Sequence, residues 1–196
     1  FEANQLYRQK ALVILKELND YNLWIHYYYQ EQNYTQIINL VDKLKNSNDE
    51  LTSYRVGKSY QQLNDFVNAK YWFFKTLTLG NYRPEYFIDY LSICFKIKDL
   101  DEAEKWTQKG IAEFPNNAML WNAKGYLAFL KGNYSLAKNG YLKSLMYNPD
   151  LVLTLENLAQ LYIQMNDNEM SKLYLNRILK IDSKHPKAKQ LLSNLN

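Results

Sequence analysis

The chain has 196 residues, 47% hydrophobic and 22% charged, which excludes wholesale disorder. Four prolines and six glycines are too few to punctuate a sheet of many short strands, so helices are expected. The net charge of +4 is spread evenly, with 12 basic and 10 acidic side chains in each half and no run of five like charges, so a focused nucleic-acid surface is not expected.

In chain order, residues 2–18 read as one amphipathic helix, with Leu6, Ala11, Ile14, Leu15 and Leu18 on one side. Residues 19–49 carry Trp24, Tyr29, Asn33 and Ile38 at the spacing of a helical hairpin, shortened in its second helix or in the loop after it. From residue 50 a pattern recurs with a period of 34, giving repeats at 50–83, 84–117, 118–151 and 152–185. Gly57, Leu91, Gly125 and Ala159 share one column; Ala69, Ala103, Ala137 and Ser171 share another. Phe73, Thr107, Tyr141 and Leu175 form a mostly bulky column, and Pro115 and Pro149 close two of the units. Residues 186–196 form a short closing helix that offers Ala188, Leu191, Leu192 and Leu195 inward. All of this is expected to form one continuous domain.

The columns have a physical reading. In residues 118–151, helix A is expected over 118–131 and helix B over 134–147, with Gly132-Asn133 as the turn. Gly125 and Ala137 have almost no side chain, so the two helices can approach closely. Tyr141 then fills space against the next repeat, and Pro149 cannot continue helix B. A lone hairpin would leave one face wet, and stacking buries it.

These residues resemble the tetratricopeptide repeat family. Trp121, Gly125, Ala128, Gly132, Ala137, Tyr141, Ser144 and Pro149 stand at that family's signature spacings, and the neighbouring repeats keep subsets of them. The resemblance covers residues 19–185 and implies an all-α, right-handed α-α superhelix (solenoid) of about five hairpins with flanking terminal helices.

Candidate chemistry is sparse. His26 and His185 are far apart in the array, and the single cysteine, Cys94, sits in a packed column, which excludes an internal disulfide framework and leaves no zinc-ligand spacing. The acids Asp99, Asp101, Glu102 and Glu104 open a B helix, where Asp99 or Asp101 can cap it. Asn33 and Asn133 match the N-glycosylation pattern but serve a turn, so no modification is assigned. No enzyme activity, cofactor or metal is expected, and no apolar run approaches the roughly 18 residues that span a bilayer, so direct membrane insertion is not expected either. The Asn-, Lys- and Tyr-rich composition suggests an AT-rich genome and a bacterial source, with the compartment, cytoplasm or envelope, left open.

The resemblance places the A helices along a concave face. The residues it implies as partner contacts are Tyr27, Tyr54, Lys58, Ile88, Ser92, Phe95, Met119, Asn122, Tyr126, Phe129 and Gln160. Their chemistry mixes aromatic anchors with amide and hydroxyl groups, as peptide-recognising surfaces do. The carboxylate clamp of the family's co-chaperones is matched here only at Asn157 and Lys187, so a chaperone-tail receptor is not indicated. The expected partner is a peptide or helix of another protein. The alternatives are a structural or homo-oligomerisation module built on tyrosine-rich surfaces and, less favoured, an RNA-binding helical repeat.

Overall fold

The computed structural model describes residues 20–44 and 48–195, together with Lys10, Val13 and Leu18, which are helical. Leu18 is exposed; the rest of the helix expected over residues 2–18 lies outside the described residues. The chain divides into two compact units, Phe1–Tyr82 and Arg83–Asn196. The first holds α1 (Tyr21–Gln30), α2 (Tyr34–Asn39), a 3-10 turn (Val41–Leu44), α3 (Glu50–Gln62) and α4 (Phe66–Thr78). The second holds α5 (Pro84–Lys96), α6 (Leu100–Glu113), α7 (Ala118–Leu130), α8 (Tyr134–Tyr147), α9 (Val152–Gln164), α10 (Asn168–Ile181) and α11 (Pro186–Asn194). No strand occurs among the described residues.

Five hairpin turns share one construction. Gln32, Asn64, Lys98, Gly132 and Asn166 take positive φ between 54° and 74°. Each ends its helix in a left-handed residue, and the next residue's N–H reaches back to the carbonyl five positions earlier, as in Asp99 N to Cys94 O at 2.8 Å. That next residue is Asn33, Asp65, Asp99, Asn133 or Asp167, and its side-chain oxygen caps the following helix. Asn133 Oδ1, for example, accepts from Leu136 N at 3.1 Å. One residue therefore closes helix A and opens helix B. Of the two acids expected as a cap for α6, Asp99 is the one that serves.

The hairpin α7–α8 is the tightest. A Cβ on Gly140 would lie 2.6 Å from the Gly125 nitrogen, and one on Gly125 would lie 2.5 Å from the Tyr141 ring. The backbones touch because both helices carry glycine at the crossing. Tyr141 is buried; its ring lies over Gly125 of its own hairpin and joins the core with Leu155, Leu158, Ala159 and Tyr162 of α9. It thus serves two interfaces where the sequence suggested one. Phe73 covers Gly57 in the same way in α3–α4.

The first unit's core gathers Ile25, Ile37, Leu44, Val56 and Trp72, rimmed by Tyr21, Tyr28, Tyr29, Tyr34 and Tyr60. Its α2 is only six residues long before the chain passes into the 3-10 turn. The β-branched Ile37, Ile38 and Val41 disfavour a longer helix there. In the second unit, α11 packs on α10 with Ala188 buried and Leu191, Leu192 and Leu195 partly buried against the same core.

Candidate functional site

In the second unit, α5, α7 and α9 lie side by side, and their shared face forms a cleft of about 480 Å³. From α5 come Ile88, Leu91, Ser92, Phe95 and Lys96; from α7, Met119, Asn122, Ala123 and Tyr126; from α9, Leu153 and Asn157. Six of the residues expected as partner contacts meet here: Ile88, Ser92, Phe95, Met119, Asn122 and Tyr126. Phe95 and Tyr126 stand edge to face with centroids 5.1 Å apart, and Tyr126 is backed by the near-parallel ring of Phe129 at 6.4 Å. Phe129 leans in turn on Tyr134.

The polar groups of the cleft are arranged differently from the sequence expectation. Asn122 is 6% exposed, and its Oδ1 accepts from Thr154 Oγ1 at 3.1 Å and from Asn157 Nδ2 at 2.9 Å. Thr154 also bonds Ser144 at 2.8 Å. This chain joins α7, α8 and α9, so the Asn122 carbonyl oxygen is committed to the scaffold. Ser92, exposed at the rim, donates to the Asp89 carbonyl at 2.7 Å. Lys187, one of the two clamp matches, pairs with Glu156 at 2.8 Å, and His185 Nε2 stands 3.2 Å from the same carboxylate.

The other expected contacts lie elsewhere. Gln160 is half-buried on α9, outside the cleft lining. Tyr27, Tyr54 and Lys58 belong to the first unit. Tyr27 joins a ring cluster with Trp24 and Tyr28 and borders a cleft of about 320 Å³ with Glu31, Asn33 and Gln36. Tyr54 is half-buried against Phe73, with ring centroids 5.7 Å apart.

Three acids of the stretch at α6 have structural partners: Asp99 caps the helix, Glu104 pairs with Lys131, and Glu102 is the most engaged. Glu102 accepts from Tyr90 Oη at 3.0 Å, Trp106 Nε1 at 2.9 Å and Lys105 Nζ at 3.3 Å. Burial pushes its pKa up, but these three donors outweigh burial and hold the carboxyl below its ordinary value. The Tyr90 hydroxyl is driven far above its usual range, first by burial and then by the neighbouring Cys94 and Glu102. Cys94 is fully buried. His26 is exposed on α1, and its pKa is lowered by partial burial and then by Arg55. Among the described residues no group of three His, Cys, Asp or Glu could hold a metal ion, and no helix is long and apolar enough to cross a membrane.

A larger groove, about 770 Å³, runs along the opposite side of α7, between α6 and α8. Sequence reasoning placed Trp121 in the packing pattern and did not find this groove. The available signal was Trp121 with Lys124 three residues on, followed by the exposed Leu136.

The arrangement of paired helices, period-34 turns and glycine crossings is that of an all-α hairpin-repeat fold. Residues 154–185 match the tetratricopeptide repeat family model. The chain is similar to the uncharacterized protein ycf37 of Pyropia yezoensis, 34% identical over 65 residues, or 33% of this chain and 36% of that protein. The match thus spans about a third of that relative's length. Among solved structures, YrrB, a tetratricopeptide protein with an unusual peptide-binding site, superposes with a TM-score of 0.68 at 17% identity over 93% of this chain and 97% of its own. PilF of Pseudomonas aeruginosa superposes with a TM-score of 0.72 at 16% identity over 96% and 84%. Residues 154–185 thus match the tetratricopeptide repeat family directly, and the fold is the helical-hairpin fold of these solved structures.

Proposed function

We propose that this chain is a non-catalytic interaction scaffold that takes a peptide or helix of a partner protein in the cleft formed by α5, α7 and α9. The observation that carries the reading is the Phe95–Tyr126 pair, held half-buried at the centre of an open cleft with Ile88 and Met119 beside it. Rigid aromatic anchors bordered by exposed polar groups such as Ser92 and Lys96 suit a ligand with one or two apolar side chains. The peptide-binding site of YrrB, which shares the fold, supports the same use here. Tyr27, Tyr54 and Lys58 serve as partner contacts of the first unit, and Phe129 acts by backing Tyr126.

Selection of a displayed peptide library on the wild-type chain, followed by titration of the enriched peptide, tests this. Phe95→Ala and Tyr126→Ala should each weaken binding by about 1–3 kcal/mol, roughly 5- to 150-fold, while circular dichroism stays unchanged. Unchanged affinity in both variants would remove the cleft as the binding site.

A further inference from the structure

The groove between α6 and α8 has no role in the reading above, and its chemistry differs from that of the cleft. Its floor is Trp121, Leu127 and Ala128 of α7; Ile111 of α6 and Leu136 of α8 form the walls. Leu136 is 56% exposed, an apolar side chain left standing in water. Four charged side chains border the groove: Glu104, Lys124, Lys131 and Lys143. Glu104 and Lys131 neutralise each other at 2.6 Å. Lys124 and Lys143 both stand over the Trp121 ring, 4.9 and 5.1 Å from its centroid, and neither is within salt-bridge distance of a carboxylate among the described residues. The groove therefore carries two uncompensated ammonium groups beside an apolar trough.

We infer that this second groove docks an acidic segment of a partner protein, one that buries an aliphatic side chain against Trp121 and Leu136 and sets carboxylates against Lys124 and Lys143. Opposite charge at the border would speed and orient docking, and the apolar floor would hold the anchor. A nucleic-acid strand fits less well. The Trp121 N–H is already given to the Pro115 carbonyl at 2.7 Å and two ammonium groups stand over the ring, so no stacking platform is left. A second copy of this chain also fits poorly, because Asp99, Glu102 and Glu104 of its acidic stretch are committed to a helix cap, hydrogen bonds and an ion pair of their own.

The test uses the whole chain and a fluorescein-labelled helical peptide with leucines on one face and glutamates on the rest. Its counterpart carries lysine at every glutamate. The expected result is saturable binding of the glutamate peptide alone, weakening as salt is raised. It should fall about tenfold or more in Lys124→Glu/Lys143→Glu and in Leu136→Glu, where Lys124 and Leu136 are exposed and Lys143 is half-buried. Amide NMR shifts should gather at Leu136, Asn139 and the Trp121 indole, and Phe95→Ala/Tyr126→Ala should leave the affinity unchanged. Four results overturn the inference: no saturation at millimolar peptide, equal binding of the lysine counterpart, shifts at Phe95 and Tyr126 instead, or single-stranded RNA displacing the peptide from these same residues. Because the cleft and the groove respond to different variants, failure of one assignment is distinguishable from failure of the other.

Discussion

At residue scale, the left-handed position in each turn is filled by glycine or asparagine three times, but by Lys98 and Gln32 in the other two. A side chain there costs roughly 1–2 kcal/mol relative to a right-handed residue. Lys98→Gly should therefore stabilise the second unit by about 0.5–1 kcal/mol, after glycine's greater freedom in the unfolded chain is subtracted. Urea midpoints measure this, and a lower midpoint would show that the lysine stem makes packing contacts worth more than the strain. Gly140→Ala should act in the other direction. Its Cβ meets backbone atoms of Gly125 that cannot rotate away, so a loss of roughly 1–3 kcal/mol is expected, with α7 and α8 forced apart. Glu102 gives a pH signature. Its folded pKa lies below the ordinary 4.5, so its contribution is fully present above that value and is lost as pH falls through the lower folded one. The stability difference between wild type and Glu102→Gln should narrow from neutral pH into acid; a difference constant with pH would remove Glu102 from the acid response.

At the scale of elements, the second unit's hairpins were legible because two features recur with a fixed period of 34: small residues at the helix crossing and a mostly bulky residue four positions further on. The helix expected over 118–131 ends in the structure at Leu130, and the one over 134–147 has the same limits. The double use of the Asn or Asp residue at each turn was less visible, since a sequence shows the cap but not the backbone bond that ends the preceding helix. Asp99→Ala should cost about 1 kcal/mol by leaving the Glu102 N–H without its side-chain acceptor, measured as a lower thermal midpoint. The contact of Gly140 with Gly125 was not anticipated, because Gly140 lies outside the aligned columns. The short α2 agrees with the expected shortening of the second helix or the loop after it, and β-branched residues interrupt an otherwise plausible apolar stripe there.

At the scale of the whole molecule, periodicity tells which helix face is shared but not which polar atoms on it are left for a ligand. Phe95, Tyr126, Ile88 and Met119 fell together in the cleft because position in a repeat sets direction. Asn122 fell there too, yet its oxygen holds Thr154 and Asn157 from a repeat 34 residues away, a pairing that no single repeat displays. The groove between α6 and α8 was hidden for a related reason. Its border is assembled from three helices, and its charge balance depends on the Glu104–Lys131 pair forming across them.

The claim on which the functional account rests is that the α5–α7–α9 cleft holds a partner protein. It is tested most directly by paired affinity capture from source-cell extract. One bait is the wild-type chain; the other carries Phe95→Ala and Tyr126→Ala, with equal helicity verified by circular dichroism. The account predicts a protein retained by the wild type and lost from the variant. Equal recovery on both baits would contradict it.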